Sequence, residues 1–149
     1  MFTIRKKIQI EWGDCDPAGI VHYPRYFAYF DNCTAALFAA AGIPKHELIR
    51  RYQIIGIPMV DTRARFLVPS RFGDEVEVES SIPAWRRSSF DVQHRLYRGR
   101  ELAVECWETR VWAVKSATDP EKFEGQTVPD EVIQRMGGVR RTPSEAGQP

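Results

Sequence analysis

Apolar and polar residues first alternate in this chain at Ile8, Ile10 and Trp12, separated by Gln9 and Glu11. That is the period of a half-buried strand, and it predicts a first strand ending at Gly13. From Pro24 the period lengthens. At about 100° per residue, counted from Phe27, the side chains of Phe30, Thr34, Leu37, Phe38 and Ala41 fall within one stripe about 100° wide. The stripe predicts a helix from Pro24 to about Ala41, closed by Gly42 and by Pro44 beyond it. Asp31 lies just past the edge of the stripe, where a carboxylate needs either solvent or a partner. A short second helix is expected from Lys45 to Tyr52.

Beyond it the alternation returns. Val60, Thr62, Ala64, Phe66 and Val68 alternate with Asp61, Arg63 and Arg65 until Pro69 ends the strand. Gly73-Asp74 marks a turn, after which Val76, Val78 and Ile82 alternate with Glu75, Glu77 and Glu79. Phe90, Val92, His94 and Leu96 alternate with Ser89, Asp91, Gln93 and Arg95, and Gly99 turns this strand into the next as a hairpin. The last strand, about Leu102 to Val114, carries Leu102, Val104 and Cys106 on one phase but Trp107, Val111 and Ala113 on the other. Either a bulge shifts its phase or both faces are covered. Residues 119–127 are polar and turn-rich, Pro129 to Met136 reads as a short helix, and 137–149, GGVRRTPSEAGQP, reads as a disordered tail. There is no internal repeat. The pattern predicts one α+β domain over residues 1–136, with a long helix packed on a five-stranded antiparallel sheet.

A chain of 149 residues suits a single domain. With 21 basic and 20 acidic side chains the charge is nearly balanced, so a nucleic-acid or membrane-surface partner is not indicated, and any anion site must be local. Three cysteines make no disulfide framework. The N-terminus MFTIRKKIQI lacks the apolar core of a signal peptide, and no apolar run approaches the roughly 20 residues that span a bilayer. These features read as a reduced, cytoplasmic protein.

The chemistry is concentrated in GDCDPAGIVHYPRYFAYFD, residues 13–31. Asp14 and Asp16 flank Cys15 and run into Pro17, Ala18 and Gly19, so the backbone must turn here. Pro24 suits the first position of a helix. Two carboxylates thus approach a helix N-terminus, where unpaired N–H groups and the positive end of the dipole can hold a developing oxyanion. The same residues also suit plain turn and capping roles. A D-x-D pair can hold a metal, but no third oxygen ligand lies nearby and no metal is assigned. Cys15 has no base placed beside it and reads as structural.

The run GDCDPAGIVHYPRY resembles the active-site segment of the 4-hydroxybenzoyl-CoA thioesterase family, a hotdog-fold group. Weaker likeness continues through Asp31, the Gly56 to Pro69 segment and Trp85-Arg86-Arg87. The resemblance implies a hotdog in which the loop leads into the central helix. It implies Asp16 as the catalytic acid, acting as nucleophile on the thioester carbonyl or as general base toward water. The Tyr23 backbone N–H would polarise that carbonyl, and Gly19 would let the loop approach the substrate. Asp31 would accept a hydrogen bond from a phenolic hydroxyl, reaching in from a neighbouring subunit, which implies a homodimer or homotetramer. Arg86, Arg87 and Ser88 fall where the family meets the phosphates of coenzyme A, with Ser88 in place of a lysine. His22 stands where the hydroxybenzoyl branch carries tryptophan, and is either a polar substrate contact or a hydrogen-bonded loop residue. The implied activity is hydrolysis of an aromatic, hydroxylated acyl-CoA, with coenzyme A as part of the substrate and no separate cofactor. Cleavage of short aliphatic acyl-CoA esters and non-catalytic acyl-CoA binding are the alternatives. Asp31 discriminates the first of these, and the presence of Asp16 argues against the second.

Overall fold

The computed structural model describes residues 1–142. Strands β1 (Thr3–Gln9), β2 (Met59–Phe66), β3 (Glu75–Trp85), β4 (Ser89–Arg98) and β5 (Glu101–Val111) form one antiparallel sheet in the order β1-β3-β4-β5-β2. Helix α1 (Pro24–Ala40) lies on one face, followed by α2 (Lys45–Tyr52). A short ribbon, β6 (Ala113–Lys115) with β7 (Phe123–Gly125), and a helix, α3 (Asp130–Arg135), complete the elements among the described residues. The helix-on-sheet layout implied by the family resemblance is present.

Three local features depart from the sequence pattern, each for a readable reason. The first strand stops at Gln9 instead of Gly13. Asp14 Oδ2 accepts from the Glu11 N–H at 3.0 Å, and the Asp14 N–H returns to the Glu11 carbonyl at 3.1 Å, winding Trp12–Asp14 into a 3₁₀ turn. Trp12 therefore leaves the core and lies edge-on to Phe72 on the surface. The buried stripe of α1 is also turned from the one expected. Tyr26, Tyr29 and Cys33 join Phe30, Thr34, Leu37 and Phe38 inside, while Phe27 is half-buried with its ring edge against Phe66. In β5 the two phases are reconciled by a bulge: Leu96 pairs with Val104 but Tyr97 with Leu102, leaving Ala103 as the extra residue. From there Val104, Cys106, Glu108 and Arg110 all turn inward.

Two apolar clusters lie along α1. Near its start, Ile10, Val21, Tyr26, Phe30 and Cys33 pack on Val76, Val78, Leu96, Val104 and Cys106. Near its end, Leu37 and Phe38 pack with Ile82, Trp85, Phe90, Val92 and Trp112, and α3 adds Val132 and Ile133. Between them Thr34, Ser80, His94, Glu108 and Arg110 form a buried polar layer. At the sheet end carrying Trp85, the contacts continue past the expected boundary at Met136. Arg140 donates to the carbonyls of Arg86 and Arg87, and the Arg141 N–H to Trp85 at 2.8 Å. The rest of the expected tail, 143–149, lies outside the described residues.

Strand β2 is an edge, and although Ala64 packs on the core, the apolar residues toward its two ends are exposed. Val60 is 62% exposed and Phe66 49%, continued by Leu67 and by Tyr23 from the start of α1. No helix among the described residues is long and apolar enough to cross a membrane.

Candidate active site

The loop between β1 and α1 is a small hairpin docked on the chain before β3. Cys15 bridges to Val21, Ile20 bridges to Arg71, and the Val21 N–H donates to the Ser70 carbonyl at 2.9 Å. Within it Asp16 orders its own turn. Its Oδ1 accepts from the Ala18 N–H at 2.9 Å, its carbonyl accepts from the Gly19 N–H at 2.9 Å, and Gly19 takes the left-handed φ of 79° that closes the turn. The other carboxylate oxygen meets no donor among the described residues. Asp16 lines a cavity of about 350 Å³ with Trp12, Cys15, Pro17, Gly19 and Phe72.

Asp14 is turned away into the 3₁₀ turn, and its carbonyl accepts from the His22 N–H at 2.8 Å. That bond holds the Asp-bearing arm against the entrance of α1. Pro24 opens the helix with no N–H of its own, and the Tyr23 N–H has no backbone acceptor among the described residues. A carboxylate oxygen without a donor and a helix-entrance N–H without an acceptor therefore sit on one short, braced segment. The rings of His22 and Tyr23 are exposed and edge-on at 5.5 Å. Tyr29, from the first turns of α1, buries its hydroxyl, which raises its pKa, and the nearby Asp14 carboxylate adds to that rise.

Cys15 is half-buried, with Sγ 3.7 Å from the Glu11 carbonyl. Burial pushes the thiols of Cys33 and Cys106 up to about 11, which removes them as nucleophiles near neutral pH. No group of three or more His, Cys, Asp or Glu among the described residues is placed to hold a metal ion.

Asp31 lies beside a different cavity of the same chain, about 450 Å³, with apolar walls from Leu48, Ile54, Ile57 and Phe123, and touches it through its two cationic partners. Its carboxylate, half-exposed, meets Arg110 Nη2 at 2.8 Å and Lys45 Nζ at 3.6 Å, and both cations line that cavity. Arg110 is the partner that a carboxylate at the rim of an apolar stripe requires.

Arg86, Arg87 and Ser88 lie at the other end of β3 from the Asp16 loop, about 30 Å away at roughly 3.3 Å per residue of strand. Arg86 holds Asp91 in a fork at 2.6 and 3.0 Å and Ser89 Oγ at 2.9 Å. Arg87 is exposed, with one contact to Thr127 Oγ1 at 3.2 Å, and Ser88 packs beside Gly125. One chain thus keeps Asp16, Asp31 and the arginine run apart.

The residues missed by sequence reading are His94, Glu108 and Arg110. Their signal was present: Glu108 and Arg110 share a phase with Val104 and Cys106, and His94 shares one with Val92 and Leu96. Thr34 Oγ1 donates to Glu108 Oε2 at 3.0 Å, His94 Nε2 lies 3.2 Å from Glu108 Oε1, and Arg110 Nε donates to Glu108 Oε2 at 2.8 Å. Burial by itself raises the Glu108 carboxyl, but hydrogen bonds and charge from His94 and Arg110 outweigh it and hold it well down, at about 2. A depressed carboxyl stabilises the fold fully above its ordinary value of 4.5 and loses that contribution as pH falls toward 2. Thermal midpoints of the wild type should therefore fall more steeply than those of Glu108→Gln across that acid window. Parallel profiles would show that Glu108 is not held this way.

A family model described as the thioesterase-like superfamily matches residues 10–135. Over 138 residues, 89% of this chain and 96% of the relative, the sequence is 32% identical to the 4-hydroxybenzoyl-CoA thioesterase of Pseudomonas sp. (strain CBS-3). The solved structure of the 4-hydroxybenzoyl-CoA thioesterase from that strain superposes with a TM-score of 0.83, covering 91% of this chain and 99% of the other at 31% identity. A gentisyl-coenzyme A thioesterase superposes with a TM-score of 0.76 over 91% of this chain and all (100%) of the other, at 27% identity.

Proposed function

This chain belongs to the thioesterase-like superfamily and has its hotdog fold, and on that premise we propose that it hydrolyses a hydroxylated aromatic acyl-CoA to the free acid and coenzyme A. The observation that carries the reading is Asp16: one oxygen fixed by the Ala18 N–H, the other directed to no donor, on a loop braced against the entrance of α1. The carbonyl carbon is attacked either by that oxygen or by a water whose proton Asp16 takes. In the first route the attack displaces the CoA thiolate and gives an acyl anhydride, which water then hydrolyses to the free acid and the Asp16 carboxylate. In the second the tetrahedral intermediate expels the CoA thiolate. Both routes put negative charge on the carbonyl oxygen. The Tyr23 N–H and the positive end of α1 supply its stabilisation.

The acyl group needs a second subunit. Two copies pairing antiparallel along β2 would satisfy its free edge and cover Val60, Phe66 and Leu67. Such pairing sets the Asp16 end of one sheet beside the Trp85 end of the other. The apolar cavity, Asp31 of the partner subunit and the arginine run then all approach Asp16. In this arrangement the hydroxylated ring enters the cavity, its hydroxyl meets Asp31, and the CoA phosphates reach Arg87 and Ser88, with Arg86 bracing that turn through Asp91.

Relatives named for 4-hydroxybenzoyl-CoA and gentisyl-CoA support a hydroxylated ring. The test is Asp31→Ala assayed on 4-hydroxybenzoyl-CoA and benzoyl-CoA. The wild type should prefer the hydroxylated ester, because the unsubstituted ring leaves a desolvated carboxylate unpaired. The substitution should lower kcat/KM for that ester by about ten- to a hundredfold and remove the preference. Equal slowing of both esters would exclude hydroxyl recognition and favour aliphatic substrates. Arg87→Ala should raise KM for the CoA ester more than it lowers kcat, since the phosphates lie far from the bond being cut. An unchanged KM would assign Arg87 to the plain surface.

A further inference from the structure

Arg110 is 4% exposed, and each nitrogen of its guanidinium has an acceptor. Nε donates to Glu108 Oε2 at 2.8 Å, Nη2 to Asp31 Oδ1 at 2.8 Å, and Nη1 to the Ile57 carbonyl at 3.1 Å. Each acceptor belongs to a different part of the molecule. Glu108 is the buried centre of the polar layer, clasped by Thr34 from α1 and by His94 from β4. His94 is in turn fixed by Ser80 Oγ at 2.7 Å on Nδ1 and by the Phe30 ring stacked at 5.0 Å. Ile57 is in the wall of the cavity beside Asp31.

Buried charged groups are a costly way to join a helix to a sheet, and well-packed apolar residues commonly do it as well or better. The polar layer here reaches the surface at the Asp31 carboxylate and meets the cavity through Arg110, which lines it. A planar guanidinium holds several acceptors at once in fixed directions, whereas an ammonium offers a point charge on a flexible stem. We propose that Arg110 is the positioning residue for substrate specificity: by taking Oδ1 of Asp31 and the Ile57 carbonyl together, it fixes the other Asp31 oxygen relative to the cavity wall and so sets where a ring hydroxyl must lie. The polar layer behind it keeps the guanidinium from turning. This inference rests on Asp31 recognising a substrate hydroxyl.

The test compares kcat/KM for 4-hydroxybenzoyl-CoA and benzoyl-CoA in the purified full-length protein, for wild type, Asp31→Ala, Arg110→Lys and the double variant. Arg110→Lys should lower the ratio of the two about tenfold, and should change it no further once Asp31 is alanine. A purely structural role would slow both esters alike and leave the ratio where it was. A ratio kept in Arg110→Lys, or lowered as much without Asp31 as with it, overturns the role of Arg110 and leaves hydroxyl recognition standing. A wild type that treats both esters alike overturns both. If Arg110→Lys does not fold, Asp31→Glu at its half-exposed helix position serves in its place. It keeps the charge but moves the oxygens by one methylene, so the ratio should fall about tenfold, and a retained ratio overturns the proposal.

Discussion

Asp16→Asn should lower thioester hydrolysis by at least ~10²-fold, because the amide can neither attack the carbonyl nor take a proton from water. The fold should survive the change. Oδ1 of Asp16 accepts only the Ala18 N–H, and an asparagine carbonyl can accept the same bond. The loop is held mainly by backbone contacts to Ser70 and Arg71, which the substitution does not touch. Circular dichroism and acyl-CoA binding should therefore match the wild type while turnover collapses. Near-normal turnover would remove Asp16 from the chemistry. Asp14→Asn should cost less and act through the 3₁₀ turn, since Asp14 points away from the cavity.

Val60→Asp should produce a monomer with activity reduced as far as in Asp16→Asn. Val60 is 62% exposed on an edge strand, and in a two-fold pairing the substitution would bury an unpaired carboxylate in the apolar join twice, once from each copy. In one chain Asp16 lines one cavity while Arg110 and Lys45, the partners of Asp31, line another, so on the proposed two-subunit site a lone subunit is incomplete. Light scattering read beside an activity assay separates the outcomes. A fully active monomer would show that one chain suffices and that the split site is wrong.

The sequence was most informative where local rules decide the structure. Pro24 and Gly42 bound α1 within a residue, Lys45–Tyr52 forms as expected, and Gly99 turns the β4–β5 hairpin. It was least informative where a side chain from elsewhere competes. Alternation placed Trp12 inside because nothing local shows that Asp14 will capture the Glu11 N–H. The phase of β5 was legible only as a conflict, and resolving it in favour of the bulge puts Glu108 and Arg110 in the interior beside Asp31. Arg86 and Arg87 are adjacent in sequence, yet Asp91, five residues on, engages one and leaves the other exposed. The separation of Asp16 from Asp31 could not be read from periodicity, since it depends on how cavities close in three dimensions.

The most direct measurement is the wild type's kcat/KM for free CoA release from 4-hydroxybenzoyl-CoA, benzoyl-CoA and a short aliphatic acyl-CoA under one set of conditions. Hydrolysis should be fastest for the hydroxylated ring, by about tenfold or more over benzoyl-CoA. The aliphatic ester should be poorer still, since it brings neither ring nor hydroxyl to the cavity. Equal rates for the two aromatic esters, or a preference for the aliphatic one, would contradict the account.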